Sequence, residues 1–211
     1  MQKPDFGLIE TMRYEPANGL LRLEQHLQRL RSSAKELGFA FDEDHIRAQL
    51  QANSTGDQAL RMRLCLTVDG EAQITTTLFQ PLSADRQWTL TIAKTRLNSA
   101  DPLLRHKTTR RAIYETARAE FGPTQVDEVL LLNEKDELCE GTFTSLFVDM
   151  GDGLLLTPPL ECGLLNGILR QALLQNDQAK TTILTIQHVQ DAKAVFVGNS
   201  LRGLIRARLA Q

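Results

Sequence analysis

Short apolar and β-branched runs, joined by tight turns and interrupted by few helical stretches, are what most limits the fold of this chain. Phe6–Met12 alternates as a strand, and Glu15-Pro16-Ala17-Asn18-Gly19 closes it. Leu23, Leu27, Leu30, Ala34 and Leu37 then recur at steps of four and three, which marks one face of an amphipathic helix stopped by Gly38. Ile46 and Leu50 predict a short second helix. Leu60–Val68 reads as a strand, Asp69-Gly70 as a hairpin turn, Ile74–Phe79 as the returning strand, and Trp88–Ala93 as another. The polar, turn-forming stretch Asn98–Pro102 predicts a junction. It separates a smaller N-terminal α/β domain, 1–98, from a C-terminal domain, 103–211.

In the second part a helix is predicted from Leu103 to Phe121. Strands follow at Val129–Asn133, up to Leu138, at Thr144–Val148 and at Leu154–Leu156, then a helix at Ile168–Leu174 and strands at Ile183–Ile186 and Ala194–Val197. Strands clustered with a few helices give an α+β class rather than a regular parallel-sheet alternation. A length of 211 residues allows one sizeable core or two small domains. The net charge of -2 gives no electrostatic reason to expect nucleic acid or an acidic membrane as partner. No apolar run reaches the ~20 residues of a membrane helix. Met1–Phe6 lacks an apolar signal core, so a cytoplasmic location is expected. Cys65 reads as a small core residue, while Cys139 and Cys162 flank motifs and are candidates to line a pocket. None of the three has the spacing of a metal site, so no metal is expected.

Lys107 stands between His106 and Thr108-Thr109, with Arg105, Arg110 and Arg111 nearby. Neighbouring cations and partial burial favour the free amine, which attacks aldehydes to form a Schiff base. The plain alternative is a lysine opening a basic, solvated helix. Glu140, placed at a strand end before Gly141, is suited to hold the nitrogen of a pyridine ring protonated. Gly163-Leu164-Leu165-Asn166-Gly167-Ile168 opens a helix after Pro158-Pro159, where backbone N–H groups bind phosphate. Arg29, in His26-Leu27-Gln28-Arg29-Leu30, is a second phosphate candidate. Gly198-Asn199-Ser200-Leu201-Arg202-Gly203 follows a strand and suits an anion or carboxylate. Each has an ordinary structural reading when taken singly.

Taken together these stretches resemble the class IV aminotransferases, the fold-type-IV pyridoxal-phosphate enzymes, nearest to their aminodeoxychorismate lyases. The resemblance runs from Phe6-Gly7-Leu8-Ile9-Glu10-Thr11 through His106-Lys107-Thr108-Thr109, Arg111, Tyr114, Asn133, Glu140-Gly141, Thr157-Pro158-Pro159, Cys162-Gly163, Gly167 and Arg170 to Asn199–Gly203. It implies a two-domain, D-amino acid aminotransferase-like fold and pyridoxal 5'-phosphate as cofactor. Lys107 matches the Schiff-base lysine, Glu140 the partner of the pyridine nitrogen, and Arg29, Gly167, Ile168 and Asn199 the phosphate contacts. Ser200 and Leu201 match a loop facing the substrate carboxylate. Arg61 or Arg63 falls on a strand lining the substrate side, with the choice left open. Ser145 stands where many members have asparagine, and the chain is short for the family.

The implied activity is conversion of 4-amino-4-deoxychorismate to p-aminobenzoate and pyruvate. Transamination of a branched-chain or D-amino acid is the alternative, and a cofactor-binding protein without turnover a third reading. A homodimer acting on a small molecule, linked functionally to aminodeoxychorismate synthase, is expected on the same ground.

Overall fold

The computed structural model describes residues 4–83, 85–122 and 125–210. Residues 1–3, part of the reading of the amino terminus, lie outside them. The chain divides into two compact units: Met1–Pro81 with His106–Arg110, and Leu82–Arg105 with Arg111–Gln211.

The first unit is a helix-backed antiparallel sheet. It contains β1 (Leu8–Glu15), β2 (Gly19–Leu20), α1 (Leu23–Leu37), α2 (Glu43–Asn53), β3 (Leu60–Leu66) and β4 (Ala72–Leu78), with strand order β2-β1-β3-β4. Helix α1 stops at Gly38, and Asp42 caps α2 by accepting from the His45 N–H at 3.0 Å. Alternation in β3 sends Met62, Leu64 and Leu66 into a core with Leu8, Met12, Leu27, Leu30, Ile46 and Leu50. Each such side chain contributes about 1.5–3 kcal/mol by leaving water. Cys65 lies on the other face with Arg61 and Arg63 and is only partly buried, so it is not the core residue its strand suggested.

The second unit holds β5 (Trp88–Leu97), α3 (Ala112–Ala119), β6 (Glu128–Asn133), β7 (Leu138–Gly141), β8 (Ser145–Asp149), β9 (Leu155–Thr157), α4 (Ile168–Gln175), β10 (Ala179–Thr181), α5 (Ile186–Asp191), β11 (Ala194–Asn199) and β12 (Gly203–Leu209). Its strands run in the order β10-β9-β8-β11-β12-β5-β6-β7, and a further pairing of β7 with β8 closes β8-β11-β12-β5-β6-β7 into a ring. Leu90, Leu130, Leu132, Leu146, Val148, Val197 and Ile205 share one core cluster, while Val129, Leu131, Tyr114, Cys139 and Cys162 share another. The consecutive residues of β6 thus alternate between two apolar environments, which is why that strand reads as continuously apolar.

Three expectations change. The units divide ahead of β5 rather than at 98–102, because β5 hydrogen-bonds in parallel with β6 and β12. The helix expected over Leu103–Phe121 is instead a 3₁₀ turn at Pro102–Arg105, an extended segment, and α3 alone. The Ile9 N–H donates to the Lys107 carbonyl at 2.7 Å and the Thr109 N–H to the Gly7 carbonyl at 2.9 Å, so the segment pairs with β1 instead of coiling. Finally, Ile183–Ile186 is not a strand: β10 ends at Thr181, and Thr185 caps α5 in a reciprocal box with His188.

Candidate active site

Lys107 belongs to the first unit, where its main chain is tied to Ile9. The bridge pairs Leu8 with Thr108, so Thr108 shares the buried face of β1 with Leu8 and Met12. Lys107 and Thr109 then fall in register with Ile9 and Gly7, on the opposite face of the sheet. Strand β3 places Arg63 beside Thr11, Arg61 beside Arg13 and Cys65 beside Ile9, so both arginines occupy the same face as Lys107. The two stand two residues apart, roughly 7 Å along the strand. Both therefore remain candidates for the substrate role.

Glu10 is an acid set among apolar residues on the helix-facing side of β1. It is 1% exposed, accepts from Arg29 Nε at 2.8 Å and Nη2 at 2.6 Å, and meets His26 Nδ1 at 2.6 Å. Burial alone would raise its pKa, but the charges and hydrogen bonds of Arg29 and His26 outweigh that and hold it near about 2. His26 is pushed the other way from its usual use as a cation: burial lowers its pKa, against the pull of Glu10, and the Lys107 charge lowers it further. Arg29, the expected phosphate ligand, is thus oriented by Glu10, and a phosphate would share its guanidinium with that carboxylate. His106 is held by Ser33 Oγ at 2.9 Å and lies 3.4 Å from Glu36.

In the second unit Glu140 lies on β7, buried, with Oε1 accepting from the Tyr114 hydroxyl at 2.7 Å. Burial, and then the Glu140 charge, raises the Tyr114 pKa well above its ordinary value. Glu140 pairs with Ser145 on β8, and Ser145 pairs with Gly198 on β11, next to Asn199. A Cβ on Gly167, the N-cap of α4, would come within 2.6 Å of Ser145 Oγ. Glu140, the start of α4 with Ile168, and the Asn199-Ser200-Leu201 turn therefore gather around Ser145, the position where the sequence departs from the common pattern. Asn199 Nδ2 donates to the Phe143 carbonyl at 3.3 Å, and its Oδ1 accepts from the Arg202 N–H at 3.1 Å. Ser200 and Leu201 are buried in the turn between β11 and β12.

Arg170, in the first turn of α4, is 3% exposed. Its Nη1 donates to Asn166 Oδ1 at 3.1 Å and Nη2 to the Pro158 carbonyl at 2.7 Å, while Nε has no partner among the described residues. Burial lowers its pKa, and Glu140 supplies the main opposing charge. A buried cation beside uncapped helix N–H groups suits a phosphate, and a buried carboxylate suits a protonated ring nitrogen. The donor set of the second unit therefore fits the phosphate and the ring nitrogen of pyridoxal phosphate. Cys139 donates to the Cys162 carbonyl at 3.1 Å, and burial raises both thiols, Cys162 to about 12. Burial and the raised pKa make both thiols unreactive. Among the described residues no group of three or more His, Cys, Asp or Glu could hold a metal, and no helix is long and apolar enough to cross a membrane.

Glu128 was invisible in the sequence. It follows Asp127 at the start of an apolar strand, a place that suggests a solvated end, yet it is 0% exposed. The seven-residue run of apolar or hydroxyl side chains after Gly141, Thr142 to Val148, gave no hint that an acid lies beneath it.

The family model described as amino-transferase class IV matches residues 7–210. A Schizosaccharomyces pombe protein named "Putative aminodeoxychorismate lyase" is 29% identical over 210 residues, covering 96% of this chain and 89% of the relative. A crystal structure from Mesorhizobium loti, of a "Putative amino-acid aminotransferase", superposes with a TM-score of 0.95 at 51% identity, covering 98% of this chain and 100% of that one. The 4-amino-4-deoxychorismate lyase of Pseudomonas aeruginosa superposes with a TM-score of 0.79 at 24% identity, covering 96% of this chain and 82% of that one, which is a likeness of fold.

Proposed function

This chain belongs to the pyridoxal-phosphate-dependent class IV aminotransferases, and we propose that within them it converts 4-amino-4-deoxychorismate to p-aminobenzoate and pyruvate. The observation that carries this reading is the face of the first unit that bears Lys107. Arg61 and Arg63 share it, roughly 7 Å apart along β3. Two cations at that spacing on one strand suit a substrate with two carboxylates, which 4-amino-4-deoxychorismate has and a branched-chain amino acid lacks. The name of the S. pombe relative points the same way.

In this reading Lys107 would hold the cofactor through its aldehyde, and Glu140 would keep the ring nitrogen protonated. When bound, the cofactor supplies an electron sink for the pair released as a C–H bond breaks. Lys107 Nζ would take the proton from the carbon bearing the substrate amine. The C–O bond to the enolpyruvyl group then breaks, the ring becomes aromatic, and the departing enolate takes up a proton to become pyruvate. Of the two neighbouring hydroxyls, Thr109 is the better proton donor, because alternation puts it on the Lys107 face and Thr108 on the buried face. Arg61 and Arg63 hold the carboxylates. Each unit offers ligands that would suit the phosphate, Arg29 in the first and Gly167, Ile168, Asn199 and Arg170 in the second, with Ser200 and Leu201 shaping the loop beside the latter. The same reading places a homodimer in the cytoplasm, working beside aminodeoxychorismate synthase.

A second reading, transamination of an amino acid, is favoured by the 51% identity to the Mesorhizobium loti protein. Incubating holoenzyme with 4-amino-4-deoxychorismate and assaying p-aminobenzoate decides between them. Stoichiometric p-aminobenzoate and pyruvate support the lyase. No product, with bleaching of the cofactor band on incubation with an amino acid alone, establishes the transaminase instead.

A further inference from the structure

We propose that Glu128 is a positioning residue for the cofactor site: its carboxylate is the template on which the turn joining Glu140 to Ser145 is folded. This rests on the reading of Glu140 as partner of the ring nitrogen. Oε1 of Glu128 accepts from the Val129 N–H at 2.9 Å, the Thr142 N–H at 3.1 Å and the Thr142 hydroxyl at 2.5 Å. Oε2 accepts from the Phe143 N–H at 3.2 Å and the Thr144 hydroxyl at 2.8 Å. The turn is thus wound around one acid, and four of the five donors come from it. A Cβ on Gly141 would lie 2.7 Å from Oε2, so the backbone beside Glu140 approaches the acid as closely as only glycine allows.

The same turn reaches the rest of the second unit's site. The Phe143 carbonyl accepts from Asn199 Nδ2 at 3.3 Å, and the Thr142 carbonyl accepts from Arg111, whose guanidinium lies over the Tyr114 ring, 4.7 Å from its centre. Tyr114 in turn donates to Glu140. The acid therefore fixes the residue assigned to the ring nitrogen, its phenol partner and one of the phosphate contacts through a single short segment. All five groups around Glu128 donate, and three of them are backbone N–H groups that can only donate, so the site calls for an ionised carboxylate. Burial raises its pKa above the ordinary carboxylate value, and these donors oppose that rise without cancelling it; Arg118 lies 3.9 Å away. Such a buried acid, fully satisfied, specifies one backbone geometry.

Glu128→Gln tests this. Both oxygens carry donors, so either orientation of the amide sets an NH₂ against N–H or O–H groups. Three proteins are compared: wild type, Glu128→Gln and Glu140→Gln. The readouts are the dissociation constant for pyridoxal phosphate and the pH dependence of the bound cofactor's visible spectrum. A purely structural role would lower the melting temperature of the cofactor-free protein and leave both readouts alone. The proposal expects Glu128→Gln to weaken cofactor binding by about tenfold or more and to move the spectral pH profile in the direction that Glu140→Gln moves it. If Glu140→Gln changes both readouts while Glu128→Gln stays within twofold in affinity with a superimposable profile, the proposal is overturned and the role of Glu140 stands. An unchanged profile in Glu140→Gln overturns the parent reading of Glu140, and this proposal with it. Should Glu128→Gln not fold, Thr144→Val, which removes one donor, is judged by the same two readouts. There a weakening of about threefold supports the proposal, and no change overturns it.

Discussion

Replacing Glu10 by glutamine should cost the fold about 3 kcal/mol at neutral pH and progressively less in acid. Two estimates agree on the size. Holding the carboxyl at about 2 instead of its ordinary 4.5 is worth roughly 3 kcal/mol at ~1.36 kcal/mol per pH unit. Breaking a buried ion pair by removing one partner costs about 3–5 kcal/mol, because the other charge stays buried, and the Arg29 side chain is only 10% exposed. The sign follows from the lowered value. The stabilisation is complete above 4.5 and is lost as the pH falls towards about 2. At pH ~3.5, about one unit below the ordinary value, roughly 1 kcal/mol of the difference should have gone, since the wild-type acid already gains protons on unfolding. Urea unfolding of wild type and Glu10→Gln, followed by circular dichroism from pH ~7 to ~3.5, measures this directly. A deficit below about 1 kcal/mol at neutral pH, or one that does not shrink in acid, would refute the reasoning.

Four further outcomes are expected. Gly167→Ala should lose about 1–3 kcal/mol through overpacking, because the new Cβ meets Ser145 Oγ at 2.6 Å. Adding Ser145→Ala should recover most of it, since the nearest Ser145 atom left is Cβ at 4.0 Å; thermal melts of the single and double variants check this. Tyr114→Phe removes the 2.7 Å donor to Glu140, and denaturation should show a loss of about 1.5–3 kcal/mol. Because burial raises the Tyr114 pKa, its phenol should contribute no ionisation at 295 nm until the protein unfolds, so wild type and Tyr114→Phe should titrate alike below that point. Arg61→Gln and Arg63→Gln should each raise the KM for 4-amino-4-deoxychorismate by roughly 10–100-fold with a smaller change in kcat; an unchanged KM in both would remove the dicarboxylate argument.

Much of the architecture could be read from local patterns. The step of four and three from Leu23 to Leu37 marks α1 because one face of that helix supplies a core, and Asp69-Gly70 marks the β3–β4 hairpin because a turn has its own chemistry. Long-range pairing left no such trace. Lys107–Thr109 is extended because β1, about a hundred residues earlier, supplies its hydrogen bonds, and nothing in Leu103–Phe121 records that. Thr181 and Thr185 fall either side of a bend for the same kind of reason: β10 ends with β9, and the capping box starts a helix where β-branched residues suggested a strand. The site shows the same division. Lys107, Glu140 and Gly167 stand out because their residue types are costly where the sequence puts them. Glu10 and Glu128 do not, because an acid on a strand looks solvated until the partners that bury it, Arg29 and His26 in one case and Thr142 to Thr144 in the other, fold over it.

The central claim is that Lys107 carries the cofactor. Borohydride reduction of the yellow holoenzyme, followed by proteolysis and mass spectrometry, tests it most directly. The account predicts a pyridoxyl-phosphate adduct on the peptide containing Lys107, and a colourless Lys107→Ala protein that keeps the wild-type circular dichroism spectrum. An adduct on another lysine, or a reducible yellow band persisting in Lys107→Ala, would contradict it.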